Sequence, residues 1–326
     1  MSGSRRHIAI IGTGGTIADG KPTDSNRKHQ SVTELAAGLS RLNGIEIVTK
    51  DLFDLPSTFL TFDHMNELAA KIKLAIEEGA DGVIVTHGTD TLEESAYFVD
   101  LVQQSDRPIV FTGAMLPPGV PGADGPYNLR CALLTAASDR AVGRGVLVVF
   151  AGEIHAARDV AKAHSVNVAA FQSIEFGPIG HVVEDRVLFA RTAPATECLP
   201  IASVTAQVEG TKCYAGMSDI QLRALTAAKV DGIVLEALGS GQVPPWIMPA
   251  IREAADDGIV LAATTRCPTG ALMHNHFGLP LRVDGDECDL LESGVLFSNL
   301  QGVKARVRLA VALSAGLTRS ELRDWF

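Results

Sequence analysis

The sequence predicts an α/β fold: a larger N-terminal domain on a doubly wound, mostly parallel sheet, and a smaller C-terminal α/β domain. Three observations predict it. Apolar runs such as Ile8–Ile11 and Gly82–Thr86 carry Val and Ile without polar alternation, as strands covered on both faces do. Segments with a helical apolar period lie between those runs. Two of the runs also lead straight into glycine–threonine turns, IIGTGGTI over 10–17 and VIVTHGTDT over 83–91. In open α/β sheets, ligands bind at such carboxyl ends of strands.

The elements follow in order. Ile8–Ile11 reads as the first strand. Two arginines precede it, but the apolar run ends at Ile11, too short for a signal-peptide core, so a cytoplasmic protein is expected. Asp63–Glu78 places Met65, Leu68, Ala69, Ile72 and Ile76 on one helical face. Gly82–Thr86 is the next strand, and Thr91–Gln103 the next helix, with Leu92, Ala96, Val99 and Val102 inward. Pro108–Thr112 follows as a strand. Asp124–Ser138 opens on Asp-Gly-Pro, a helix start, and continues with Leu129, Leu133 and Leu134. Gly145–Phe150 closes the first set of strands. A second set has strands at Asp231–Ala237 and Gly258–Thr264 and a helix over Lys304–Ala315. Between the sets, 191–214 holds Pro194, Pro200 and few periodic apolar residues. It reads as a linker between domains at 1–190 and 215–326.

Composition narrows the function. The chain of 326 residues is long enough for two domains. Its net charge is −10 and no basic cluster stands out, which argues against nucleic acid and anionic membranes as partners. No apolar run reaches the length of a membrane span. The five cysteines form no CxxC pair, and the histidines show no HxxxH or HExxH spacing, so no metal site is expected. The cysteine count and spacing suit reduced thiols.

The chemistry-bearing residues cluster after strands. Thr16, the pair Thr89 and Asp90, and the Gly113–Leu116 turn should gather at one edge of the sheet. A dinucleotide loop fits the first turn poorly, because Ile17 stands where a third small residue is needed, and no G-x-x-x-x-G-K-[ST] is present. A nucleophile reading needs a base, since a threonine hydroxyl is inert until its proton is taken. A partly desolvated lysine can serve, and Lys162 in ARDVAKAH is the candidate. The plainer alternatives are a helix cap for Thr89–Thr91, with Glu93 and Glu94 in the first turn, and a surface role for Lys162.

These motifs resemble the bacterial-type L-asparaginases and glutaminase-asparaginases. TGGTIA (13–18) resembles that family's first signature and THGTDTLEESAYFVDL (86–101) its second. GAM (113–115), ADGPYNL (123–129), RDVAK (158–162), FGPIG (176–180), PTGA (268–271) and KARV (304–307) resemble further segments in order, so the likeness spans nearly the whole chain. It implies hydrolysis of the side-chain amide of asparagine, with no cofactor. It also implies a homotetramer built from tight dimers, with sites at the dimer interface. Residue by residue, Thr16 corresponds to the nucleophile, and Thr89, Asp90 and Lys162 to a second catalytic group. Gly15, Ser57, Thr58, Gly88 and Ala114 correspond to substrate-binding positions. Ser57 would hold the α-carboxylate, Asp90 would face the α-ammonium, and the backbone near Ala114 would polarise the amide. Gln242 and Asp286 correspond to positions in the C-terminal domain that complete a neighbouring subunit's site.

Three positions depart from the family pattern. Lys21–Gln30, where a tyrosine is usual, has none; the tyrosines are Tyr97, Tyr127 and Tyr214. Leu116 follows GAM where arginine is common, and Gln242 replaces an asparagine. Which threonine attacks, and whether Asn or Gln is preferred, stay open. So does a weakly catalytic amino-acid-binding protein that keeps the fold.

Overall fold

The computed structural model describes residues 5–19, 30–39, 44–194, 196–274 and 290–326, with the backbone alone at 282–283 and 286–287. The chain divides into two compact units, Met1–Pro200 and Ile201–Phe326.

In the first unit the strands are β1 (Arg6–Gly12), β2 (Ile45–Asp51), β3 (Gly82–Thr86), β4 (Ile109–Thr112), β5 (Val146–Phe150), β6 (Glu153–Ala156), β7 (Ala161–Lys162), β8 (Phe171–Gln172), β9 (Gly180–Val183) and β10 (Arg186–Phe189). Among the described residues, eight of them form one sheet in the order β10-β9-β6-β5-β4-β3-β1-β2. The run from β2 to β5 is parallel, and β6, β9 and β10 add an antiparallel flank. The strands β7 and β8 pair apart from that sheet. The helices are α1 (Val32–Ala36), α2 (Phe62–Glu77), α3 (Leu92–Val102) and α4 (Gly125–Ala136).

The apolar runs become central strands because both faces are covered. Ile10, Ile84, Val110 and Leu147 stand side by side in register. Together with Leu129 and Leu133 of α4 they form one buried cluster. Alternate strand residues such as Val85 and Phe111 point to the other face and are fully buried there. Helices α2 and α3 pack on β3, β4 and β5, with Phe62 and Phe98 in ring contact at 6.2 Å.

The second unit holds β11 (Val208–Lys212), β12 (Gly232–Ala237), β13 (Val260–Thr265), β14 (Arg282–Val283), β15 (Asp286–Glu287) and β16 (Leu296–Phe297). Its parallel sheet runs β11-β12-β13-β16. Helices α5 (Ile220–Ala227), α6 (Met248–Asp256), α7 (Gly302–Ser314) and α8 (Arg319–Trp325) complete it. Ile233, Leu235, Leu261 and Ala263 pack with Leu222, Ile251 and Ala254 of α5 and α6. Leu309 and Leu313 of α7 close over Gly232.

One boundary needs correcting. The segment expected to be linker, 191–214, contains β11, which is an edge strand of the second sheet. Its sequence VEGTK offers one apolar residue at its start and none after, so no apolar run betrayed it.

Candidate active site

Strands β1, β3 and β4 are parallel neighbours, so the turns that follow them leave the same edge of the sheet. Hydrogen bonds stitch those turns together. Thr13 donates to the Thr86 carbonyl through both its N–H and its hydroxyl, each at 3.0 Å. The His87 N–H donates to the Thr112 carbonyl at 2.9 Å. Above these bonds the chains touch. A Cβ on Gly15 would lie 2.4 Å from the Gly88 Cα, and Gly15 has φ 80° and ψ −179°, a region that side chains exclude. A Cβ on Gly88 would in turn fall 2.8 Å from the Ser57 side chain. Gly15, Gly88 and Ser57 thus form one contiguous floor, and Thr16 and Thr89 each sit one residue away.

Thr89 is buried and its hydroxyl lies 2.9 Å from Lys162 Nζ. The same nitrogen lies 2.6 Å from Asp90 Oδ1. The Lys162 side chain is 15% exposed against 58% for Asp90, so the lysine is sheltered while its carboxylate partner opens to solvent. Lys162 is therefore no surface lysine; it lies on β7, whose ladder to β8 fixes it. The Lys162 N–H also donates to Glu93 Oε1 on α3 at 3.3 Å.

Helix capping does not account for the THGTDT segment. The N-cap of α3 is Thr91, and its side chain caps nothing. Its hydroxyl donates instead to the Ser57 carbonyl at 2.9 Å. The Asp90 N–H donates to Ser57 Oγ at 3.2 Å. Ser57 therefore accepts with its oxygen, and its own proton is left to donate outward.

His87 is fully buried. Its Nδ1 lies 2.7 Å from the Gly88 carbonyl, so that nitrogen carries the proton and donates. Burial pushes its pKa down to about 4. The ring is a neutral strut under the floor. Its Nε2 is buried without a hydrogen-bond partner.

The other expected positions fall as follows. Thr16 opens a short 3-10 turn, half-buried. Ala114 is 1% exposed and packs against Ile17 and Ala18 just beyond Thr16. Thr58 is exposed on the turn Ser57–Phe59. Gln242 is exposed in the second unit, where its backbone pairs with Leu238. Asp286 lies on β15 and its side chain is outside the described residues, as is the segment 20–29 where the family tyrosine would stand. Tyr97 is fully buried in α3, and Tyr127 and Tyr214 are half-exposed. Among the described residues no three His, Cys, Asp or Glu side chains gather as a metal site.

The sequence reading missed Thr13, Thr91, Glu93 and Asn128 as supports of the site. Each acts through a contact with residues outside its own local motif, which local spacing does not reveal.

This arrangement defines a class: an α/β enzyme with paired threonine turns and a lysine, suited to acyl transfer. Residues 7–195 match the family described as Asparaginase, N-terminal, and residues 207–326 match the Glutaminase/Asparaginase C-terminal domain. The L-asparaginase of Bacillus licheniformis is 36% identical over 95% of this chain and 96% of its own. L-asparaginase 2 of Escherichia coli K12 is 35% identical over 98% of this chain and 92% of its own. A crystal structure of a probable cytoplasmic L-asparaginase from Campylobacter jejuni superimposes with a TM-score of 0.86 at 30% identity, covering 98% of this chain and 99% of that one. The chain belongs to the asparaginase and glutaminase family of amidohydrolases.

Proposed function

We propose that this protein is an L-asparaginase, which hydrolyses the side-chain amide of L-asparagine to L-aspartate and ammonia. The observation that carries the reading is Lys162 Nζ bridging Thr89 Oγ1 and Asp90 Oδ1, at 2.9 and 2.6 Å, beside the Gly15–Gly88 floor. Such distances suit proton transfer to or from a hydroxyl or a water held by it.

In this reading Thr16 Oγ1 attacks the side-chain carbonyl carbon. The proton that Thr16 gives up passes to the amide nitrogen, the C–N bond breaks, and the nitrogen leaves as ammonia. A β-aspartyl ester of Thr16 remains. Water, positioned by Thr89 and deprotonated through Lys162, attacks that ester and returns the threonine hydroxyl. Ser57 donates to the substrate α-carboxylate, and the Asp90 carboxylate faces the α-ammonium. Backbone groups of the Ala114 turn polarise the reacting amide.

Ammonia release from L-Asn and L-Gln tests the reading, run side by side on the wild type, Thr16→Ala and Thr89→Val. Release from Asn that drops by at least about 1000-fold in either variant agrees with it. Full release in both variants sinks it. Tight L-aspartate binding without turnover would favour an amino-acid-binding protein instead, an alternative kept by the absence of tyrosine from Lys21–Gln30. Greater release from Gln would make the protein a glutaminase.

We also propose a cytoplasmic homotetramer built as a dimer of dimers, with sites at the dimer interface. Support comes from apolar side chains left in solvent near β7 and β8: Val166 at 72%, Phe176 at 59%, and Ile174 and Val168 at about 40% exposed.

A further inference from the structure

We propose that Asp124 and Asn128 are positioning residues that hold the Ala114 turn against the Thr16 loop during amide hydrolysis. The inference rests on the hydrolytic reading above and concerns two residues that reading does not use.

Asp124 is the N-cap of α4, yet its side chain makes no capping bond to its own helix. Aspartate at that place ordinarily accepts from the second or third helical N–H, which stabilises a helix by about 1 kcal/mol. Here the carboxylate is turned away from the helix onto the Gly113–Leu116 turn. It accepts the Met115 N–H at 3.1 and 3.0 Å and the Leu116 N–H at 2.9 Å. One turn further along α4, Asn128 is fully buried. Its Nδ2 donates to Asp124 Oδ2 at 3.0 Å and to the Gly113 carbonyl at 3.0 Å. Its Oδ1 accepts the Ala151 N–H at 2.9 Å, just past the end of β5.

The turn is therefore gripped on both sides of Ala114. Gly113 is held through its carbonyl, and Met115 and Leu116 through their N–H groups. Both grips originate on α4, a helix seated in the core of the sheet. The grip also reaches the nucleophile loop. Ile17, Ala18 and Ala114 form one buried apolar contact. Gly125, next to Asp124, is so close that a Cβ there would meet Ile17 at 3.1 Å and Ala114 Cβ at 3.4 Å. A shift of the turn is thus a shift against the residue that follows Thr16.

The donor count explains why these two residue types stand here. A carboxylate only accepts, which suits two N–H groups and an amide NH₂ pointing at it. Asn128 must donate twice on one side and accept on the other, which its amide does. The two are not interchangeable singly. Asp124→Asn sets one NH₂ against donors, and Asn128→Asp sets a carboxylate against Asp124 and the Gly113 carbonyl. Exchanging both restores the link between the two side chains and the acceptors for Met115 and Ala151. It loses the Oδ2 bond to Met115 and the bond to Gly113, whose carbonyl then faces the carboxylate.

The test measures kcat and KM for ammonia release from L-Asn in the wild type, Asp124→Asn, Asn128→Asp and the combined variant, beside thermal midpoints. We expect each single change to lower kcat by about 30-fold, with KM moving by less than about threefold, since the grip acts on the reacting amide end. The combined variant should recover about tenfold of that loss, a rescue that mere loss of packing would not produce. Unchanged kcat in both single variants overturns the proposal. So does a loss that follows the melting temperature and is not relieved by the combination. If the wild type releases no ammonia, the hydrolytic reading fails by itself. Amide exchange then decides the grip: faster exchange at Met115 and Leu116 in Asp124→Asn, with β4 still protected, supports it, and unaltered exchange overturns it.

Discussion

Gly15 meets Gly88 backbone to backbone, and that contact sets the tolerance of the site. Its φ of 80° with ψ near 180° is open only to glycine, and a Cβ would sit 2.4 Å from the Gly88 Cα. Gly15→Ala must therefore push the two threonine turns apart. Loss of at least about 100-fold in kcat is expected from displacement on the order of an ångström, while the sheet below stays folded; paired kinetics and a thermal melt check it. His87 carries a different prediction. An unfolded histidine titrates near 6.5, while burial lowers this one to about 4. Between those values the unfolded chain binds a proton that the folded chain refuses, so stability falls as pH drops through that window. The loss by its lower end is about 3 kcal/mol for one group. Denaturant titrations of the wild type at pH 7 and 4.5 should show much of it, and His87→Asn should show a flatter profile.

At the scale of elements, the central strands were legible because their chemistry is local. Short runs rich in Val and Ile and bounded by turn residues suit strands covered on both faces. The edges were not. β2 reads IEIVTKD and is half-exposed along its length. β7 is two residues long, and its place depends on β8 and on Glu93, which lies 69 positions from Lys162. The gathering of Thr16, Thr89 and Ala114 on one edge followed from parallel strand order alone, whereas Lys162 was a candidate base by its chemistry, with no strand order to place it. Two measurements address these elements. Ile84→Ala removes a fully buried side chain from the middle of the sheet. It should destabilise by about 2–5 kcal/mol in denaturant titration. Glu93→Ala removes the acceptor of the Lys162 N–H and should lower kcat by about tenfold. Glu93→Gln, which retains an acceptor oxygen, should lose less; equal losses would show that the contact does not steady the lysine.

For the whole molecule, the two-unit plan was visible in the sequence, but its seam was not. Prolines and polar residues drew attention to 191–214, while β11 inside that stretch lacks an apolar signature. Assembly offers a test at this scale. Val166 and Phe176 are among the most exposed large apolar side chains of the first unit. Val166→Lys combined with Phe176→Lys should lower the mass seen by light scattering if that surface joins copies; an unchanged oligomer would place the interface elsewhere.

The chain order of the site bears on its birth. Thr16, Thr89 and Asp90 are synthesised well before Lys162, and the ladder that fixes the lysine closes only with Phe171 and Gln172. A ribosome-bound fragment ending before β8 carries both threonines but no seated lysine. Domains tend to fold as they emerge, N-terminal first. The lysine should therefore be seated late in translation of the first unit, and an arrested-chain series stepped across residues 150–200 would locate the moment.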